Sequence, residues 1–309
     1  METRRIGELE VSVVGLGCNN LGSRLDLAGT QAVVDACFDA GVTLFDTADV
    51  YGDGASEELL GRALGSRRDE VVVATKFGMR LDDERRGAHP DYIPRACEAS
   101  LRRLGTDHLD LYQLHTPDPE VPIEETLGAL DELVQAGKVR ELGHSNLSAA
   151  QADEAEATAQ RLGTARFVAA QDHWSLLARE VEDDILQAVA RHDLKVLPFF
   201  PLASGLLTGK YTAEGEQDPT WRLNWLPPER RDRWITEERL ATTRALEAVA
   251  TDAGHSLLEL AVSWLACQAP VASVIAGATR PEQVRANAAA AGWRLTAEEL
   301  AEVDRITGR

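Results

Sequence analysis

Four side chains that can move or steer a proton fall where strand-forming runs stop. Asp46 ends VTLFD (42–46), Tyr51 follows five positions later, Lys76 ends VVVATK (71–76) and His115 ends LDLYQLH (109–115). A carboxylate at the end of a buried strand is costly unless a cation or hydrogen-bond donors meet it. The chain has four lysines against 28 arginines, so Lys76 stands out as the partner for Asp46. An ammonium beside a phenol favours the phenolate, so Lys76 is expected to lower Tyr51 from its ordinary value of about 10. His115 would add a second hydrogen bond to the same oxygen. Such a group protonates the oxyanion formed when hydride adds to a carbonyl. Singly, Asp46 and Lys76 could be a plain buried ion pair and Tyr51 a turn residue. All four at successive strand ends favour chemistry.

The elements that must position them are read from apolar runs. VSVVGLG (11–17), VTLFD, VVVATK, LDLYQLH, VRELGHSN (139–146), FVAAQ (167–171), KVLPFF (195–200) and VASVIAG (271–277) resemble parallel strands covered on both faces. Between them lie helical patterns, SEELLGRAL (56–64), PRACEASLRRLG (94–105), IEETLGALDELVQAG (123–137) and EDDILQAVARH (182–192). Eight strands alternating with helices predict an α/β fold, a single (β/α)8 TIM barrel over residues 1–309. The first seven residues are expected to form a hairpin closing the barrel floor. Two loops exceed turn length, 80–90 and 214–234. The second holds Trp221, Trp225 and Trp234 and reads as a lid.

Composition narrows the partners. A net charge of -19 argues against nucleic acid or an anionic membrane, though not against a small anion at a local basic site. Four scattered cysteines, with no C-x-x-C, suit a reducing compartment and supply neither a disulfide framework nor a zinc site. With no signal-type stretch and no run of 18 apolar residues, a cytoplasmic location is expected.

In a barrel the site gathers at the C-terminal strand ends. These carry Cys18, Asn19 and Asn20, then Asp46 and Tyr51, Lys76, His115, Ser145 and Asn146, Gln171, and the PLASGLLTGK loop (201–210). Two other readings compete. GLGCNNLG (15–22) imitates a dinucleotide fingerprint, but its third glycine is two positions late for G-x-G-x-x-G. His115, His144 and His173, near consecutive strand ends, could instead ligate zinc in a barrel hydrolase. Against that, no His-x-His follows the first strand and no carboxylate bridges them.

Taken in order, VSVVGLGCNNLG, GVTLFDTADVYG, VVVATKFG, SLRRLGTDHLDLYQLHTPDP, PIEETLGALDELVQAGKVRELGHSN, PLASGLLTGKY and GATRPEQVRANAAA resemble the aldo-keto reductases. The likeness is to the longer microbial branch that includes potassium-channel β-subunit-like proteins, and it runs almost end to end. It implies a (β/α)8 barrel that reduces small-molecule aldehydes or ketones with NADPH. Asp46, Tyr51, Lys76 and His115 match the catalytic tetrad, with Tyr51 as general acid. Ser145, Asn146 and Gln171 match residues holding the nicotinamide carboxamide, and Phe199 the ring stacked on it. Leu202, Ser204, Gly205, Leu206 and Lys210 match the segment around the pyrophosphate. Arg280 and Gln283 match positions at the adenosine 2′-phosphate, and Asn287 one at adenine. An arginine fork suits a phosphate, which favours NADPH over NADH. Cys18, Asn20, Trp174, Trp221 and Trp225 are pocket candidates, and no metal is expected. Phe199, Phe200 and His144 stand where the family more often has tyrosine or tryptophan, serine, and an aliphatic residue. A non-catalytic NADPH-binding regulatory subunit is the alternative the resemblance leaves open.

Overall fold

The computed structural model describes residues 1–211 and 221–309, with Trp225 as backbone only. Its strands are β1 (Thr3–Ile6), β2 (Leu9–Ser12), β3 (Val14–Gly17), β4 (Leu44–Asp46) and β5 (Val72–Phe77). There follow β6 (Leu109–Leu114), β7 (Val139–Ser145), β8 (Phe167–Gln171), β9 (Lys195–Val196) and β10 (Val274–Gly277). The helices are α1 (Leu27–Ala40), α2 (Ala55–Leu64), α3 (Ile93–Leu104), α4 (Ile123–Gln135), α5 (Ala149–Leu162) and α6 (Ile185–Arg191). The C-terminal part adds α7 (Pro228–Arg231), α8 (Glu237–Asp252), α9 (Leu257–Ala266), α10 (Pro281–Ala289) and α11 (Ala297–Thr307).

Eight parallel strands run in the order β10-β3-β4-β5-β6-β7-β8-β9. A bridge between Val196 and Val271 closes the circle into the (β/α)8 barrel. The 11–17 run divides in two. Val11 and Ser12 belong to the antiparallel β1–β2 hairpin, and only Val14–Gly17 enters the barrel. The hairpin therefore takes residues 3–12, beyond the seven expected. Gly7 turns it at φ 54°, the left-handed region that favours glycine, and a Cβ there would press on the Glu141 carboxylate that caps the turn by accepting from Glu8 N–H. Ile6, Leu9 and Val11 pack against Leu44, Val72 and Leu111 inside the barrel and seal its N-terminal end.

Strand β9 is cut to two residues because Pro198 lacks an N–H for the ladder. The remainder of KVLPFF instead leads into the site. Helix α5 carries a capping box, Ser148 with Gln151, and α4 buries Leu127 and Leu130 against the sheet. The register pairs Gly17 with Asp46, Lys76 with Gln113 and Ser145 with Gln171, so the polar strand ends lie level around one rim.

Candidate active site

At that rim, Lys76 is buried with no exposed surface and Asp46 is 3% exposed. The Lys76 ammonium donates to both Asp46 carboxylate oxygens at 2.8 Å and to the Thr47 carbonyl at 2.7 Å. Three short bonds meet the ammonium, two of them to one carboxylate, which is what a buried lysine needs to stay charged, and Lys76 also hydrogen-bonds the Tyr51 hydroxyl. Burial, the largest single influence, depresses Lys76, but Asp46, Tyr51 and Cys18 together more than offset it and the group sits above its ordinary value.

Asp46 has two further partners. Gln171 Nε2 donates to its Oδ1 at 2.8 Å, and Gln113 Nε2 reaches the same atom at 3.4 Å. Gln113 has no exposed surface and was missed in the sequence. The signal lay in its spacing, two before His115 on one strand, hence the same face. Ser145 Oγ donates to the Gln171 carbonyl at 2.8 Å. Asn146 Nδ2 donates to the His115 carbonyl at 3.0 Å and to Ser145 Oγ at 2.9 Å. Asn146 sits at φ 62°, a conformation asparagine tolerates better than most residues.

Tyr51 follows β4 in a tight turn. Thr47 N–H donates to the Ala74 carbonyl at 2.8 Å, and Asp49 N–H to the Lys76 carbonyl at 3.1 Å. The Lys76 ammonium lies 5.2 Å from the Tyr51 ring centroid, and the His115 ring meets Tyr51 edge-on at 5.9 Å. One expectation is corrected here. Burial pushes the Tyr51 phenol up by more than Lys76 pulls it down, so its net displacement is upward. The loss of water around a phenolate outweighs one ammonium that Asp46 already half-neutralises. His115 is pushed down to about 3 by burial and by Lys76, so its imidazole is neutral.

The rim opens on a cavity of about 1230 Å³, with Lys76 and Gln113 buried behind its wall rather than on it. Cys18, Asn20, Asp46, Tyr51, His115, Ser145, Asn146, Gln171 and Phe199 line it. So do Leu202, Ser204, Gly205, Lys210, Trp221, Arg280, Gln283 and Asn287. In a chain of net charge -19, four of its lining residues are cations, Arg24, Lys210, Arg222 and Arg280. Its one lining carboxylate among the described residues, Asp46, is already spent on Lys76. Of the lid arginines, Arg222 faces the cavity, 5.1 Å over the Phe200 ring, whereas Arg230 and Arg233 are exposed. The first stretch of the lid-like loop, 214–220, and the Trp225 side chain lie outside the described residues.

The loop after β9 is shaped for close approach. Ser204 and Gly205 stand at φ 58° and 99°, and a Cβ on Gly205 would fall 2.9 Å from Lys210 Cε. Arg280 precedes α10, where Pro281 holds the first position, and its guanidinium has no bonded partner among the described residues. Gln283 Oε1 accepts from the Thr279 N–H at 2.7 Å.

Two candidates sit elsewhere. Trp174 is 1% exposed, packs edge-on against Trp264 at 5.7 Å and donates to Glu182 at 2.9 Å, so it belongs to the core. Its place beside His173 in sequence says nothing of the direction in which its ring points. Leu206 is likewise fully buried under the loop rather than on the cavity wall. His115, His144 and His173 do not converge. His144 is buried against Phe167, His173 stacks on Phe199 at 5.5 Å, and no metal-ligating cluster occurs among the described residues. No helix among them is long and apolar enough to cross a membrane.

The sequence model of the Aldo/keto reductase family matches residues 13–307. Aldo-keto reductase YhdN of Bacillus subtilis is 35% identical over 307 residues, covering 96% of this chain and 90% of that protein. A probable voltage-gated potassium channel subunit beta of Oryza sativa is 35% identical, covering 93% and 90%. Among solved structures, the glycerol dehydrogenase AKR11B4 from Gluconobacter oxydans superposes with a TM-score of 0.84 at 34% identity, covering 99% of this chain and 95% of that one.

Proposed function

The chain belongs to the Aldo/keto reductase family, and on that premise we propose that this oxidoreductase reduces an aldehyde or ketone with NADPH, using Tyr51 as general acid. The observation that carries the reading is the buried Asp46–Lys76 pair, 2.8 Å between charged atoms, set 5.2 Å from the Tyr51 ring centroid, with the neutral His115 ring edge-on to the same tyrosine. The nicotinamide, when bound, supplies the hydride to the carbonyl carbon.

Tyr51 holds its proton at neutral pH, because burial keeps the phenol above its ordinary value. It gives that proton to the carbonyl oxygen as charge develops there. Lys76, fixed by Asp46 and Thr47, stabilises the phenolate left behind. Gln113 and Gln171 hold Asp46 in place, so the ammonium is aimed before substrate arrives. His115, kept neutral, orients the carbonyl without adding a cation beside Lys76. After the reaction a proton returns to Tyr51 from solvent.

The cations and the size of the cavity support a phosphorylated dinucleotide as its ligand. Its four cations are the concentration of positive charge such a ligand requires, and its volume exceeds the 300–1,000 Å³ or so typical of a single small ligand. Ser145 and Asn146 would meet the carboxamide, Phe199 the nicotinamide face, and Leu202 to Lys210 the pyrophosphate. Arg280 and Gln283 would meet the 2′-phosphate and Asn287 the adenine. In this structure Gln171 donates to Asp46, so it serves the tetrad as well as the cofactor wall.

The test is loss of reduced-nicotinamide absorbance with NADPH against a panel of aromatic, aliphatic and sugar carbonyls. Tyr51→Phe removes the proton but little volume, and turnover should fall about 10²–10⁴-fold while NADPH still binds. Retained turnover in that variant overturns the assignment. Tight NADPH binding with no turnover by the native protein would move the regulatory-subunit reading ahead.

A further inference from the structure

Behind the Tyr51 turn lies a buried polar cluster that the reaction above does not use. Asp49 is 2% exposed, and neither of its carboxyl oxygens has a hydrogen-bond partner. The neighbouring Glu57 has no exposed surface and takes the available donors, Arg103 Nε at 2.6 Å and the Thr75 hydroxyl. Arg103 is pressed against the turn itself, since a Cβ at Gly54 would lie 2.6 Å from its Cδ. The groups acting on Asp49 are Glu57 from α2, which raises it, and Arg103 from α3, the Val50 backbone N–H and Lys76 from β5, which lower it, while Tyr92 just before α3 and Tyr112 from β6 feel its charge in turn. Both cations are bonded to other carboxylates, and the Tyr112 hydroxyl is itself without a partner. An ionised Asp49 would be an unpaired buried charge, whereas a protonated one is merely a poorly bonded carboxyl.

That distinction reaches the phenol through the backbone. Asp49 N–H is bonded to the Lys76 carbonyl at 3.1 Å and Tyr51 N–H to the Ala48 carbonyl at 3.1 Å. The segment from Ala48 to Tyr51 is thus one turn tethered to the strand that carries Lys76. If the Asp49 side chain seeks water, the turn leaves β5 and takes the phenol with it.

We propose that Asp49 is a positioning residue whose neutral carboxyl keeps the Tyr51 turn seated on β5 and whose ionisation unseats it, giving carbonyl reduction an alkaline limb. The inference rests on the reductase reading above. Burial first, and then the Glu57 carboxylate, push Asp49 up to about 7. A carboxyl raised on folding contributes stability that is full below its unfolded value and lost as pH rises through about 7.

The test is the pH profile of kcat, with NADPH saturating and a carbonyl the native protein turns over, in native and Asp49→Asn protein. The native kcat should fall about tenfold between pH 6 and 8, as a single group titrating near the middle of that range requires. Asp49→Asn, whose amide stays neutral, should be flat over the same interval. An unchanged limb in that variant overturns the proposal. A second readout needs no turnover, namely the ring resonance of Tyr51 in the NADPH complexes of native and Asp49→Asn protein, assigned by its loss in Tyr51→Phe. It should shift between pH 6 and 8 in native protein and stay put in Asp49→Asn, and a stationary native resonance, or the same shift in both proteins, overturns the proposal. If no carbonyl is reduced, the reductase reading fails, while the resonance still decides whether Asp49 controls the turn.

Discussion

Lys76→Met is the sharpest test of the site's energetics. Methionine fills a similar volume but removes the ammonium, leaving the Asp46 carboxylate 3% exposed with only two amide donors, Gln171 at 2.8 Å and Gln113 at 3.4 Å. Removing one partner of a buried ion pair costs roughly 3–5 kcal/mol, because the remaining charge is stranded. For 309 residues, at about 2.1 cal/mol/K per residue, the entropy of unfolding is about 0.65 kcal/mol/K. The expected fall in Tm is therefore about 5–8 °C. The double variant Asp46→Asn/Lys76→Met should recover much of it, since no charge is then left buried. Calorimetry of the native protein, both single variants and the double variant closes the cycle. A Lys76→Met loss below about 1 kcal/mol, or strictly additive losses, would refute the claim that the pair is tightly coupled and dry.

Other outcomes follow from particular residues. Arg280→Ala should weaken NADPH by about 1.5–3 kcal/mol, the usual worth of a hydrogen bond to a charged group, and leave NADH nearly unchanged. Titration calorimetry with the two cofactors checks this, and equal losses would remove Arg280 from the phosphate. His144 is pushed down to about 3 by burial, with neither ring nitrogen bonded, and His115 is likewise near 3. A histidine depressed on folding contributes stability present above its unfolded value of about 6.5 and lost as pH falls towards 3. Each can steepen the acid loss by up to about 1.4 kcal/mol per pH unit. His144→Leu should make that loss shallower in urea melts at pH 4–6.5, and an unaltered slope would contradict the burial argument.

The sequence by itself determined the barrel and the polar rim. Near-continuous apolar runs alternating with helical patterns read as strands buried on both faces, and most of them ended at or beside the residue that the barrel places at its mouth, although VSVVGLG and KVLPFF each gave only part of their length to the barrel. Asp46, Lys76, His115, Ser145 and Gln171 were therefore legible. So were the cavity-lining glycine and lysine of PLASGLLTGK. What required the tertiary structure was anything set by direction or by neighbours distant in the chain. Trp174 belongs to the core because its ring turns towards Trp264, 90 positions away. Gln113 joins Asp46 only because β4 and β6 flank the strand of Lys76. Among the lid arginines, packing on Phe200 rather than composition selected Arg222. The shift of Tyr51 reversed sign for the same reason. A nearby lysine can be inferred from spacing, but the water excluded from a phenol is a property of the whole surrounding fold.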